Sequence, residues 1–338
     1  MNLVGKRVCI KGNFGTIRYK GSIDGYAHEY IGIEWDKAER GRHSGSINGK
    51  EYFSASKPNS ASFIKLTPDF GIGISFDEAV NMKYGAFDVK YSIMGFNSMN
   101  ICSVDSFSTV YTGNHYFLGK DVVSLDISEN LLCDWSEILD LLKHFPNLKT
   151  LDCSKMPLKR CDSVRSYNLL SLIALDCCIE NNIFYELSQM FPMLETLYLG
   201  FNKISLSITA TNFQHLKLLS LENNEIMDWS ILSPLKTIDS LHTLNLNCNS
   251  IPSIMLEEEP GFKGLRYLYI ENNRIVNVND LIYFKYACVE HLEQLNLHSI
   301  FCLKNPLEIA SDDFFNELLT RNQKLSVING EIVRNFFN

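Results

Sequence analysis

One template governs most of this chain. The spacing Leu-x-x-Leu-x-Leu-x-x-Asn-x-Leu first appears complete at Val122, Leu125, Ile127, Asn130 and Leu132. Leu148, Leu151, Cys153 and then Leu172, Leu175, Cys177 read as copies without the asparagine. Fuller copies begin at Leu194, Leu216, Leu241 and Leu265, with Asn202, Asn224, Asn249 and Asn273 in the asparagine position. Leu292, Leu295 and Leu297 start an eighth that turns irregular. Successive copies are 26, 24, 22, 22, 25, 24 and 27 residues apart. A unit of this size has one apolar stripe that only its neighbour can bury, so the units must stack in a line.

The period is that of leucine-rich repeats, in which each unit contributes a short strand to a curved parallel sheet and a return segment behind it. Trp135 to Phe145 has a helical period behind the first strand, with Asp134 as its N-cap. The asparagines are expected to bond backbone groups where the chain leaves each strand, a structural role. Residues between the leucines face the concave side. One column of them reads Asp126, Asp152, Asp176, Tyr198, Ser220, Asn245, Tyr269 and Asn296. Stacked aspartates repel one another, so the expectation is either a cationic partner or screening by water, salt and lysines. With Tyr267 beside Tyr269, the expected face is protein-binding, acidic through Asp126, Asp152 and Asp176, and aromatic through Tyr198, Tyr267 and Tyr269.

The first 68 residues differ in kind. They hold nine of the nineteen glycines and eleven Lys/Arg against six Asp/Glu, which leaves twenty basic against thirty-three acidic residues in the remainder. Opposite charge balances predict two domains with different partners. Short β-branched and aromatic runs between glycine turns predict a small all-β barrel from Lys6 to Lys65. The loop Arg40 to Gly49 carries three glycines, which allow positive φ and close approach of a ligand.

Five ordered segments in this region resemble a CAP-Gly domain: Gly15-Thr-Ile-Arg-Tyr19, Gly32-Ile-Glu-Trp-Asp36, Gly41-Arg-His-Ser-Gly45, Tyr52-Phe53 and Ser62-Phe-Ile-Lys65. The resemblance implies recognition of an acidic peptide with an aromatic C-terminus, such as the α-tubulin tail. The family loop usually reads Gly-Lys-Asn/His-Asp-Gly, so Arg42 keeps the cation and Ser44 loses a carboxylate. The implied peptide site comprises Trp35, Gly41, Arg42, His43, Ser44, Gly45 and Phe53. Arg42 and free backbone N–H groups of the loop would meet the carboxylates. Trp35, Tyr52 and Phe53 would line an apolar slot; the alternative places Trp35 and Phe53 in the barrel core, and one residue can serve both roles.

Together the modules predict a multi-domain chain: a small all-β CAP-Gly barrel over 1–68, a linker and leading cap over 69–120, an α/β leucine-rich-repeat solenoid over 121–310, and a trailing cap over 311–338. This pairing resembles the tubulin-folding cofactor E family. The resemblance implies a chaperone that binds α-tubulin and the αβ-tubulin heterodimer, works with other tubulin-folding cofactors, and assembles or dissociates the heterodimer. Family members usually continue into a ubiquitin-like domain, beyond where this sequence stops. The alternative is a microtubule-associated adaptor with a non-tubulin client. Cys288-x-x-His291 has no second ligand pair at finger spacing, and no nucleotide or nucleophile motif occurs, so no metal, cofactor or enzyme activity is expected. Cys153, Cys177 and Cys302 read as buried hydrophobes in a reducing compartment. The acidic larger segment argues against nucleic acid and against membrane as partners, and charges at Lys6 and Arg7 interrupt any signal-peptide core, so a cytoplasmic, cytoskeletal location is expected.

Overall fold

The computed structural model describes residues 3–11, 13–67, 74–76, 79–80, 101–103, 109–110, 120–158, 166–179, 183–205, 213–253, 262–276, 299–301, 327–328 and 331–332. The chain forms two compact units, Met1–Val122 with Asp126–Pro146, and Val123–Leu125 with Asn147–Asn338. Much of both expected caps, the cysteines and histidine at 288, 291 and 302, and Leu292 to Leu297 lie outside the described residues.

In the first unit, β1 (Arg7–Ile10), β2 (Asn13–Ser22), β3 (Glu29–Trp35) and β6 (Ala61–Lys65) form an antiparallel sheet in the order β1-β2-β3-β6. β4 (Ser46–Ile47) and β5 (Lys50–Glu51) form a small hairpin between β3 and β6. Alternation puts Val8, Ile17, Ile31, Ile33 and Trp35 into one buried cluster, as the period of a half-buried strand requires. Arg7, only 4% exposed, is neutralised at the rim by both carboxylate oxygens of Asp36 and also donates to Thr16 Oγ1 at 3.0 Å. The unit also holds β7 (Ile74–Ser75), β8 (Ile101–Ser103) and β9 (Thr109–Val110), with β7 parallel to β9. Helix α1 (Trp135–Leu142) begins where predicted, with the Asp134 carboxylate accepting from Ser136 N–H at 2.9 Å. Glu137 of α1 binds Lys6 Nζ at 2.8 Å and Cys133 N–H at 3.1 Å.

β10 (Ser124–Asp126) straddles the two units. The second unit continues with β11 (Thr150–Asp152), β12 (Ser171–Ile173), β13 (Thr196–Tyr198), β14 (Leu218–Ser220), β15 (Thr243–Asn245), β16 (Tyr267–Tyr269), β17 (Ser299–Phe301), β18 (Val327–Ile328) and β19 (Glu331–Ile332). From β11 to β18 each strand pairs in parallel with the next, and β19 turns back against β18. From β11 to β16 the central residue of each strand is a leucine, and Leu151, Leu172, Leu197, Leu219, Leu244 and Leu268 are wholly buried. Each such burial contributes about 1.5–3 kcal/mol. Between β12 and β13 the chain forms α2 (Ile183–Met190), and between β14 and β15 a 3-10 helix, Trp229–Thr237, which contains Pro234. Proline lacks the N–H that an α-helical ladder needs at that position.

Buried asparagines bind one unit to the next, as expected. Asn202 accepts from the N–H groups of Cys177 and Ile179 at 2.9 and 3.0 Å, and donates to the carbonyls of Ala174 and Leu199 at 2.9 and 3.0 Å. Asn224, Asn249 and Asn273 repeat the arrangement. One residue before each ladder position the backbone turns left-handed, at Phe201, Asn223, Cys248 and Asn272.

Two registers differ from the expected ones. Leu172, not Leu175, pairs with Leu151 and Leu197. That repeat therefore runs Leu169, Leu172, Ala174, with Cys177 in the asparagine position, where its thiol donates to the Cys153 carbonyl at 3.2 Å. Asp176 is not on the strand at all. It has φ 53° in the left-handed turn, and Ile173 occupies the column position instead. In the eighth repeat Ile300 pairs with Leu268, so Phe301 takes the place expected for Asn296.

Candidate peptide-binding site

The loop that carries Arg42 is shaped by its own chain. A Cβ on Gly41 would fall 2.1 Å from the Asn59 carbonyl, and one on Gly45 would fall 1.8 Å from the Phe53 carbonyl, with Gly45 at φ +109°. Both glycines are needed for these approaches, before any ligand is considered. The loop is stitched to β6: the N–H groups of Arg42 and His43 donate to the Ala61 carbonyl at 2.7 and 3.2 Å, and Ala61 N–H donates to the His43 carbonyl at 2.8 Å. Gly41 N–H donates to Ala38 O, and Gly45 N–H to His43 Nδ1 at 3.0 Å. These four amides are thus engaged within the protein, contrary to the expectation that they stand free for carboxylates. Satisfying its own buried amides is what holds so open a loop in one shape.

Ser44 contributes in the same way. Its hydroxyl accepts from Asn59 N–H at 3.0 Å and its carbonyl from Ala55 N–H at 3.0 Å, so it joins two loops. Burial holds the His43 imidazole below its ordinary titration range, and the ring stacks on Phe63 with centroids 4.8 Å apart. The Arg42 side chain is exposed, and among the described residues its guanidinium has no partner.

Trp35 does not line the slot. It is 1% exposed, inside the barrel core, with Arg40 stacked 4.8 Å from its ring centroid. β3 points it inward in phase with Ile31 and Ile33, so alternation excludes it from the surface. Its place is taken by an aromatic cluster around Phe63. Phe53, Tyr52, Tyr19 and His43 all pack against that ring, with centroids 4.8–6.0 Å apart. Tyr19, Gly32 and Phe63 occupy one register across β2, β3 and β6. Gly32 leaves a gap between the two aromatic residues, and the half-buried Phe53 ring fills part of it: a Cβ there would be 2.3 Å from Phe53 Cε1. Tyr19 and Phe63 were not among the expected site residues. The signal was a glycine within a strand, which marks a close approach.

Below the cluster, Glu34 is buried between strands. Burial pushes its carboxyl up, but hydrogen bonds from Ser56 and Arg18 outweigh that and hold it below its ordinary range. These bonds fix the segment that leads from Phe53 back to β6.

On the open sheet face of the second unit, Tyr267 and Tyr269 share β16, and Tyr198 lies in line with Ile173 and Ser220. The aspartates have local work. Asp126 accepts from Ser128 N–H and Oγ at 2.9 and 2.7 Å, and Asp152 from Ser154 N–H at 2.9 Å. Each fixes the turn that follows its strand. With Ile173 next to Asp152, the stack of three carboxylates does not form.

The CAP-Gly domain family matches residues 4–68. Tubulin-specific chaperone E of Bos taurus is 26% identical to the chain, covering 92% of it and 65% of the bovine protein. Tubulin-folding cofactor E of Arabidopsis thaliana is 28% identical, covering 95% and 68%. A solved leucine-rich-repeat protein of Leptospira interrogans aligns with 62% of the chain and 49% of its own length, at 20% identity and a TM-score of 0.42. The chain spans 65% of the length of the bovine relative. Residues 4–68 thus match a CAP-Gly domain, the parallel strands of the second unit follow the leucine-rich-repeat period, and over about nine-tenths of its length the chain resembles the tubulin-specific chaperone E proteins.

Proposed function

We propose that the chain acts as a tubulin-folding cofactor that binds α-tubulin through both modules. The observation that carries this reading is the likeness to chaperones named for tubulin over nine-tenths of the chain. The site geometry supports it. An exposed Arg42, unpaired among the described residues, stands in a loop whose His43 and Gly45 pack against the Phe53 and Phe63 rings, which suits a tail with carboxylates and an aromatic end. Trp35 supports the site from the core, and Gly41, Ser44 and Gly45 hold its shape. The open sheet face, with Tyr198, Tyr267 and Tyr269, would grip the folded body. Two weak sites on one chain reinforce each other through effective concentration. In this reading the chain captures α-tubulin or the αβ heterodimer in the cytoplasm, together with other cofactors, and moves subunits into or out of the dimer without catalysing a covalent step.

The test is binding of αβ-tubulin before and after removal of its acidic tails, read by fluorescence anisotropy, for the parent chain and Arg42→Ala. Tail removal and Arg42→Ala should each weaken binding, and should not add when combined. Absence of binding to intact tubulin would overturn the chaperone reading and leave an adaptor with another client.

A further inference from the structure

Backbone hydrogen bonds join the residues that lead into successive strands of the second unit. Lys217 N–H donates to the Glu195 carbonyl, His242 N–H to the Lys217 carbonyl and Arg266 N–H to the His242 carbonyl, each at 2.8 Å. Lys217, His242 and Arg266 are thus three consecutive rungs, about 4.8 Å apart. The neighbouring rung, Glu195, is already bound to Lys217 at 2.9 Å. Among the described residues, neither the Arg266 guanidinium nor the His242 ring has a hydrogen-bonding or ion-pairing partner. Burial holds the His242 imidazole below its ordinary range, and the Arg266 and Lys217 charges push it further the same way. Arg266 is therefore a cation without an ion-pair partner among the described residues, flanked by a His242 ring disfavoured as a cation and, one rung further, by Lys217, which shares the Glu195 carboxylate.

The surroundings narrow what would compensate them. One residue further along the strands, Leu218, Thr243 and Tyr267 share a register on the open face, and Tyr267 is 39% exposed. At the other end of the same strands the charge reverses. The Glu222 carboxylate accepts from Asn245 Nδ2 at 2.8 Å and the Glu271 carboxylate from Asn247 Nδ2 at 3.3 Å. Glu222 lies five residues beyond Lys217 and past the end of β14, about 17 Å away if that segment is fully extended. A broad polyphosphate covering the face would meet those carboxylates, whereas a narrow peptide along the basic edge would not.

We propose that Lys217, His242 and Arg266 form a second binding site, for an extended acidic protein segment. The segment lies across the strand ends, with one carboxylate on Arg266, a second on Lys217 in competition with Glu195, and an apolar side chain against Tyr267. This site is separate from the Arg42 loop and does not depend on the tail-binding reading.

The test uses a fluorescent octapeptide of alternating Glu and Leu with both ends blocked, which withholds the free terminal carboxylate and aromatic end that the Arg42 site would require. Anisotropy is measured for the parent chain, Arg42→Ala, and the double variant Lys217→Ala/Arg266→Ala. The parent and Arg42→Ala should bind alike, and the double variant at least tenfold more weakly. In the unsubstituted chain, saturating peptide should raise the His242 titration midpoint followed by NMR, a readout that needs no variant to fold. Failure of the parent to bind, binding that the double variant retains, or an unmoved His242 midpoint would each overturn the proposal. Equal competition by a single-stranded oligonucleotide would overturn it in favour of a general polyanion site. Loss of tubulin-tail binding in Arg42→Ala, with the blocked peptide still bound, would separate the two sites.

Discussion

The Phe53 ring rests on Gly32, so closely that a Cβ on the glycine would come within 2.3 Å of Phe53 Cε1 and 3.0 Å of Tyr19 Cβ. A strand residue without a side chain is what lets a loop aromatic join the cluster around Phe63. Gly32→Ala should swing the Phe53 ring away. The atom in the way is the far end of a side chain, so the stability cost should be modest, about 1 kcal/mol. Affinity for an acidic tail peptide should fall several-fold. Urea denaturation and peptide anisotropy on the same variant check both numbers.

Gly45 should tolerate nothing larger. Its φ of +109° and a Cβ position 1.8 Å from the Phe53 carbonyl combine strain with a backbone clash. Gly25, at φ +82° with open space around it, has the strain alone. Gly25→Ala should cost about 1 kcal/mol, while Gly45→Ala should cost more than 3 kcal/mol or fail to fold. Similar losses for the two would mean that loop packing does not matter.

His43 should make the site sensitive to acid. Its folded pKa is lowered below the ordinary 6.5 by burial. The stability it contributes as a neutral ring is complete above about pH 6.5 and is lost as pH falls through the depressed folded value. A protonated ring could no longer accept from Gly45 N–H at Nδ1. Peptide binding should therefore weaken as pH falls below 6.5 and through the depressed His43 value. His43→Gln should remove that dependence, which affinity measured from pH 5 to 8 would show.

Asn202 should be among the most costly polar residues to remove. Asn202→Ala strands the N–H groups of Cys177 and Ile179 and the Ala174 carbonyl in a dry interior. The expected loss is about 3 kcal/mol, with hydrogen exchange quickening first in the repeats on either side. A loss below 1 kcal/mol would show that other groups can replace the ladder.

Much of this organisation was legible in the residues themselves. The leucine period settles parallel strands, buried centres and asparagine ladders, because one apolar stripe per unit has only one way to be buried. The glycine pattern and the Gly41-Arg-His-Ser-Gly45 loop likewise announce the N-terminal barrel. The period could not choose between Leu172 and Leu175, which both fit a three-residue step. Hydrogen bonds from neighbouring strands chose Leu172, and with that choice Asp176 left the sheet and Ile173 entered it. Nor could composition say whether Trp35 faces the core or a ligand, or that Tyr19 and Phe63 meet across Gly32. Those outcomes depend on strand phase and on which backbone amides already have partners, and only residues far apart in sequence, once packed, can decide that.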